Sequence, residues 1–78
     1  MEVEQRIKEI MSEVFQVPVE DIRPDTSPEE VENWDSLTHL NMVLALEEEF
    51  SIRFESEQVV EMLSFELICR MVNEQVVT

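Results

Sequence analysis

Glycine is absent from all 78 residues. That absence excludes Gly-rich phosphate loops, dinucleotide fingerprints, nucleophile elbows and EF-hand calcium loops, each of which needs glycine where the backbone turns sharply or meets a ligand. Basic side chains are scarce too: five Lys and Arg face nineteen Asp and Glu, a formal net charge of −14 at pH 7. A phosphate-gripping nucleic-acid surface is therefore excluded. A single cysteine leaves no internal disulfide and suits a reducing compartment. No apolar run approaches the ~20 residues of a membrane-spanning helix, and Met1-Glu2-Val3-Glu4 does not read as a signal peptide. The expectation is one acidic, soluble, cytoplasmic domain over residues 1–78, monomeric, with no nucleic-acid partner and no membrane span.

Apolar residues make up 44% of the chain, and their spacing is helical. Val3, Ile7, Ile10, Met11 and Val14 mark one face of a first helix over Glu2 to Phe15. Between Gln16 and Asn33 three prolines and the turn-forming Asp25-Thr26-Ser27 break the pattern, leaving a long loop pinned by Val17, Val19 and Ile22. Ser27-Pro28-Glu29-Glu30 can start one short turn there. A second helix runs from Ser36 to about Phe50, with Asp35 as its N-cap. Glu55 to Leu63 reads as a short amphipathic piece turned inward through Val59, Met62 and Leu63. Ser64 caps a last helix striped by Phe65, Ile68, Cys69, Val72 and Val76. The fold expected is all-α: a small four-helix bundle of three longer helices and a short third, with a long loop after helix one.

The second helix carries two apolar faces when projected at about 100° per residue. His39, Met42, Val43, Leu46 and Phe50 form the face read as inward. Leu37, Leu40 and Leu44 form the other, shared with Asn41, Glu47 and Glu48, and a face mixing leucines with glutamates reads as an exposed surface for partners. Glu47-Glu48-Glu49 is a solvated run suited to attracting basic proteins, not to chelating a metal, because its carboxylates point in different directions. Ser36 stands at the helix mouth, where orphan N–H groups and the dipole would favour a phosphoryl group on its oxygen by about 0.3–1 kcal/mol. Ser36 and His39 do not read as a hydrolytic dyad: they project about 60° apart and lack an oxyanion hole. His39 reads instead as packed partly against the inner face, and Cys69 as a small buried hydrophobe.

Trp34-Asp35-Ser36-Leu37, followed by Leu40-Asn41-Met42-Val43-Leu44-Ala45-Leu46-Glu47-Glu48-Glu49-Phe50, resembles the acyl carrier protein family. The resemblance extends over essentially the whole chain, including the acidity and the short third helix. It implies a non-enzymatic shuttle whose Ser36, flanked by Asp35 and Leu37, receives a 4′-phosphopantetheine arm from coenzyme A. The arm's thiol then holds acyl or aminoacyl groups as thioesters for fatty-acid-like, polyketide or other specialised biosynthesis. Its implied partners are a phosphopantetheinyl transferase, an acyl-loading ligase or acyltransferase, and a ketosynthase or other acyl-processing enzyme with a basic surface. Leu37, Leu40, Asn41, Leu44, Glu47 and Glu48 form the expected partner face, and Met42, Leu46, Phe50, Val59 and Met62 the expected acyl pocket. Thr38 and Asn41 stand where fatty-acid-synthesis members usually carry acidic residues, and Trp34 where they carry a small one, which points to a dedicated pathway. The competing reading is a small acidic helical interaction module without a prosthetic group.

The charge excess generates a prediction of its own. Nineteen acidic side chains on so short a chain repel one another in the folded state. The melting temperature near neutral pH should therefore rise with added sodium chloride or millimolar magnesium, and a flat or falling response in a thermal scan contradicts this.

Overall fold

The computed structural model describes residues 2–77, with side chains over 3–76. Four helices follow one another: α1 (Glu2–Phe15), α2 (Ser36–Phe50), α3 (Ser56–Glu61) and α4 (Phe65–Val77). The first, second and fourth have 14, 15 and 13 residues, and α3 has six. The chain is thus the all-helical four-helix bundle that its periodicity predicts. No helix among the described residues is long and apolar enough to cross a membrane.

One core runs through the bundle. Ile7, Ile10, Met11 and Phe15 enter from α1, Met42, Val43 and Leu46 from α2, and Phe65, Ile68, Cys69 and Val72 from α4. Met62 closes the core between α3 and α4 with no exposed surface. Each large apolar side chain buried this fully contributes about 1.5–3 kcal/mol relative to an exposed one. Two residues expected inside are not. Leu63 is 53% exposed, because α3 has ended at Glu61 and Met62 leaves helical geometry at φ −81°, ψ 69°, so the helical period no longer holds. Val76 is 41% exposed, one turn beyond Val72, where the core ends. Conversely, Phe15 joins the core eight residues after Ile7 on the same face, whereas Val3 and Val14 pack only partly against it.

The loop after α1 is held by the ends of the helices it passes. Asn33 donates from Nδ2 to the Phe15 carbonyl at 3.0 Å, satisfying the C-terminus of α1. The carbonyls of Thr26 and Pro24 accept from the Phe65 and Glu66 N–H groups at 3.1 and 3.0 Å, satisfying the N-terminus of α4. Ser64 Oγ takes the next, the Leu67 N–H, at 3.2 Å, as its capping position predicts. Within the loop, Val19–Asp21 winds into a 3-10 turn, and Ile22, Thr26 and Val31 are buried. The turn expected at Ser27 forms, its carbonyl accepting from Glu30 and Val31. Across the bundle, Arg6 pairs with Glu9 on its own helix and with Glu49 on α2. Glu49 is accordingly held below the usual carboxylate range by the Arg6 guanidinium.

Without glycine, two helices end on left-handed residues that carry a Cβ. Gln16 (φ 58°) follows α1 and Ser51 (φ 55°) follows α2. In both, the next N–H reaches back five residues, Val17 to the Ser12 carbonyl and Ile52 to the Glu47 carbonyl, the Schellman closure in which glycine usually sits. The left-handed conformation costs about 1–2 kcal/mol with a Cβ, and glycine returns about 0.4–1 kcal/mol of that through unfolded-state entropy. Ser51→Gly should therefore raise the melting temperature by several degrees while Ser51→Ala does not. A fall with glycine in a thermal scan contradicts the backbone origin of the strain.

Candidate functional site

Ser36 is the first residue of α2, exposed, and no described residue hydrogen-bonds its hydroxyl. The residues beside it are tightly held. Asp35 Oδ1 accepts from the Thr38 N–H at 3.0 Å, while Thr38 Oγ1 accepts from the Asp35 N–H at 2.9 Å. This is a reciprocal capping box in which threonine does the work usually given to glutamate or glutamine. The Thr38 hydroxyl also donates to the Asn33 carbonyl at 2.5 Å, tying the cap to the loop. The Thr38 backbone N–H, with its hydroxyl second, holds the Asp35 carboxyl below its usual range. Ser36 thus projects from a fixed helix mouth beside the Asp35 carboxylate, and its own hydroxyl is left available.

Behind the cap stands an aromatic column that sequence reasoning missed. Trp34, only 6% exposed, stacks on Phe15 with ring centroids 4.6 Å apart and on His39 at 6.1 Å. Its indole Nε1–H donates to His39 Nδ1 at 2.9 Å. Indole nitrogen can only donate, so Nδ1 is the acceptor and the histidine carries its proton on Nε2. Nε2 then donates to the Val59 carbonyl of α3 at 2.7 Å. His39 is therefore half-buried and fully partnered, a bridge from the loop through α2 to α3, with no nitrogen left to activate Ser36. The spacing of Trp34 and His39 straddling the cap was the available signal for this pairing.

Ser36 lies on the rim of an open, mainly apolar groove of about 520 Å³, walled by Pro28, Trp34, Asp35, His39, Leu40, Val59, Val60 and Leu63. On the outer face of α2, Leu37, Leu40 and Leu44 are 68%, 52% and 61% exposed, and Asn41 and Glu48 are exposed beside them. Glu47 differs: it is half-buried, and its Oε2 accepts from the Phe54 N–H at 2.8 Å, so it shapes the segment after α2. Of the residues expected to line an acyl pocket, Met42, Leu46 and Met62 have no exposed surface, and Val59 is the one that borders the groove. Phe50 lies at the opposite end of α2, about 21 Å along the helix from Ser36, beside Val3 and Arg6.

Other chemistry-bearing groups stand apart from this site. Burial, with Glu4 adding to it, pushes the Cys69 thiol up to about 12, so it is no thiolate at neutral pH. Among the described residues no three His, Cys, Asp or Glu side chains gather as metal ligands.

The cap makes the start of α2 sensitive to acid. A carboxylate depressed in the folded state stabilises it above the unfolded pKa, and that contribution is lost as pH falls through the depressed value. Below about pH 4, the usual carboxylate range, parent stability should therefore decline in part through Asp35. Asp35→Asn, which keeps an accepting oxygen, should melt near the parent at neutral pH and lose this component of the acid response. Asp35→Ala should melt lower at neutral pH. Thermal scans from pH 7 to pH 3 check both.

A helix mouth with an unpartnered serine hydroxyl, an apolar groove at its side and an exposed leucine ridge fits a covalently attached chain running from the serine over the surface. A family model described as phosphopantetheine attachment site matches residues 5–72, which takes in all of α2 and α3 and most of α1 and α4. Members of that family carry 4′-phosphopantetheine covalently as non-catalytic carriers, and phosphopantetheinyl transferases and acyl-processing enzymes act on them. By a match of this extent, the chain belongs to the phosphopantetheine attachment site family and is a phosphopantetheine-bearing carrier protein.

Proposed function

We propose that Ser36 is the residue that takes the arm, and that the chain delivers acyl or aminoacyl groups within a dedicated biosynthetic pathway of the fatty-acid-like or polyketide kind. The single observation that carries this reading is the exposed Ser36 hydroxyl at the capped start of α2, left without a partner among the described residues. Attached there, the arm supplies a terminal thiol that holds cargo as a thioester. In the loading step Ser36 Oγ forms the new bond to the pantetheine-side phosphorus of coenzyme A. The pyrophosphate P–O bond breaks, adenosine 3′,5′-bisphosphate leaves, and the serine proton passes to a base of the transferase. That base is assigned to the transferase because both ring nitrogens of His39 are committed to Trp34 and Val59.

Once the phosphodiester stands on Ser36, the first turn of α2 meets its negative charge with the positive end of the helix dipole. Leu37, Leu40 and Leu44 offer apolar contact to an arriving enzyme, and Asn41 and Glu48 flank them. The net charge of −14 draws enzymes with basic surfaces toward this face and raises encounter rates at low salt. The loading enzyme fits as a transferase followed by a ligase or acyltransferase, and a ketosynthase or another acyl-processing enzyme fits as the consumer.

Incubation of the apo protein with coenzyme A, magnesium and a broad-specificity phosphopantetheinyl transferase should add one arm per chain, mapped by peptide mass to Ser36. Ser36→Ala should not load yet should melt near the parent, because the cap is built from Asp35 and Thr38. Labelling of Ser36→Ala, or an arm mapped to another serine, overturns the assignment. The intact mass of natively expressed protein separates a loaded carrier from an interaction module that bears no arm.

A further inference from the structure

We propose that Thr38 is a positioning residue for the loading reaction: its hydroxyl fastens the first turn of α2 to the end of α1 and so sets where Ser36 meets the transferase. The inference rests on the reading of Ser36 as the attachment residue and goes beyond it to the residue that holds that serine in place.

Three observations carry it. Ser36 has no side-chain hydrogen bond among the described residues, so its place is set by its neighbours. Thr38 grips those neighbours with three bonds. Its backbone N–H donates to Asp35 Oδ1 at 3.0 Å, its Oγ1 accepts from the Asp35 N–H at 2.9 Å, and its hydroxyl donates to the Asn33 carbonyl at 2.5 Å. The other acceptors within reach of that proton, the Asp35 carbonyl and Oδ1, stand farther off at 3.2 and 3.1 Å. Asn33 is anchored in turn, its Nδ2 donating at 3.0 Å to the carbonyl of the buried Phe15. An unbroken run of hydrogen bonds therefore leads from the end of α1, through Asn33 and Thr38, to the residue that precedes Ser36.

The side chain suits this task. A carboxylate here could accept from the Asp35 N–H but would have no proton for the Asn33 carbonyl, and an aliphatic group would do neither. Threonine does both through one oxygen, and its branched Cβ limits where that oxygen can stand. The Trp34–His39 bond fastens the buried side of the same turn, and the Thr38 hydroxyl fastens the solvent side. Without the hydroxyl, the Asp35 N–H keeps only the Asn33 carbonyl, 3.1 Å away, while the Thr38 N–H still caps on Asp35 Oδ1. The helix then stays formed and its first turn loosens. Loading is sensitive to that. Ser36 Oγ must approach the pantetheine-side phosphorus in line with the departing adenosine 3′,5′-bisphosphate, and a misplacement of about 1 Å can cost such a step about 10²-fold. The exposed ridge of Leu37, Leu40 and Leu44 is untouched, so encounter with the enzyme is unchanged. The loss falls on the bond-forming step.

The test is single-turnover loading of the apo protein with saturating coenzyme A, magnesium and a rising excess of broad-specificity phosphopantetheinyl transferase, read by intact mass. Thr38→Val should lower the maximal rate about tenfold and keep the half-saturating transferase concentration within about twofold of the parent. Thr38→Ser, which restores the hydroxyl, should restore the rate. Val72→Ala removes core contact and no bond of the cap, so it should melt lower yet load at the parental rate. Asn33→Ala cuts the same run at α1 and should also slow the maximal rate, and the double variant should lose less than the product of the two losses. Should Thr38→Val not fold, Asn33→Ala serves instead. The positioning role alone is overturned by a folded Thr38→Val with the parental maximal rate or a change only in half-saturating concentration. Failure of Thr38→Ser to restore loading, or equal slowing by Val72→Ala, overturns it too. Absence of loading in the parent, or an arm mapped to another serine, overturns the attachment reading itself.

Discussion

The hydrogen bond from the Trp34 indole to His39 is the constraint on which the working end of this molecule depends. A twenty-residue loop without glycine has no cheap way to hold a shape. Here its last aromatic residue is buried against Phe15 and fastened to the first turn of α2. With Trp34 fixed, Asp35 must fall where its carboxylate meets the Thr38 N–H, and Ser36 must follow as the first helical residue. A buried indole N–H left unpaired would cost about 1–3 kcal/mol, so the bridge is enforced by penalty as much as by attraction.

The rest of the loop follows the same logic of reciprocal satisfaction. Helices leave unpaired backbone groups at their ends, and this loop supplies several of the missing partners. Asn33 serves α1, Pro24 and Thr26 serve α4, and Asp35 serves α2. A connection that looks irregular along the sequence is thus a set of caps strung together. Bundle and loop hold each other, which keeps the exposed serine positioned although it contributes nothing to the core.

The helices and the cap were legible in the sequence because both obey local rules. The 3.6-residue period marks α1, α2 and α4, and Asp35 and Ser64 occupy positions whose capping chemistry is set by immediate neighbours. The exposure of Leu37, Leu40 and Leu44 was readable too, because glutamates share their face. What escaped depends on contacts between segments far apart in the chain or on how an element ends. Leu63 turned outward because α3 stops two residues earlier, and no period announces that stop. Glu47 looks like its neighbour Glu48 until Phe54 folds back onto it. The tryptophan and histidine each looked like an isolated oddity, and only the burial of Trp34 on Phe15 makes them a pair.

That burial also gives the protein an optical property. Trp34 is the only tryptophan, and there is no tyrosine. Ultraviolet emission therefore originates from one indole, two residues from Ser36 in the chain and walling the same groove. An indole stacked between Phe15 and His39 and shielded from water emits toward the blue, and one released to solvent emits toward the red. The intrinsic fluorescence of this carrier is thus a local gauge of events beside Ser36, read without a label and undiluted by signal from elsewhere in the chain.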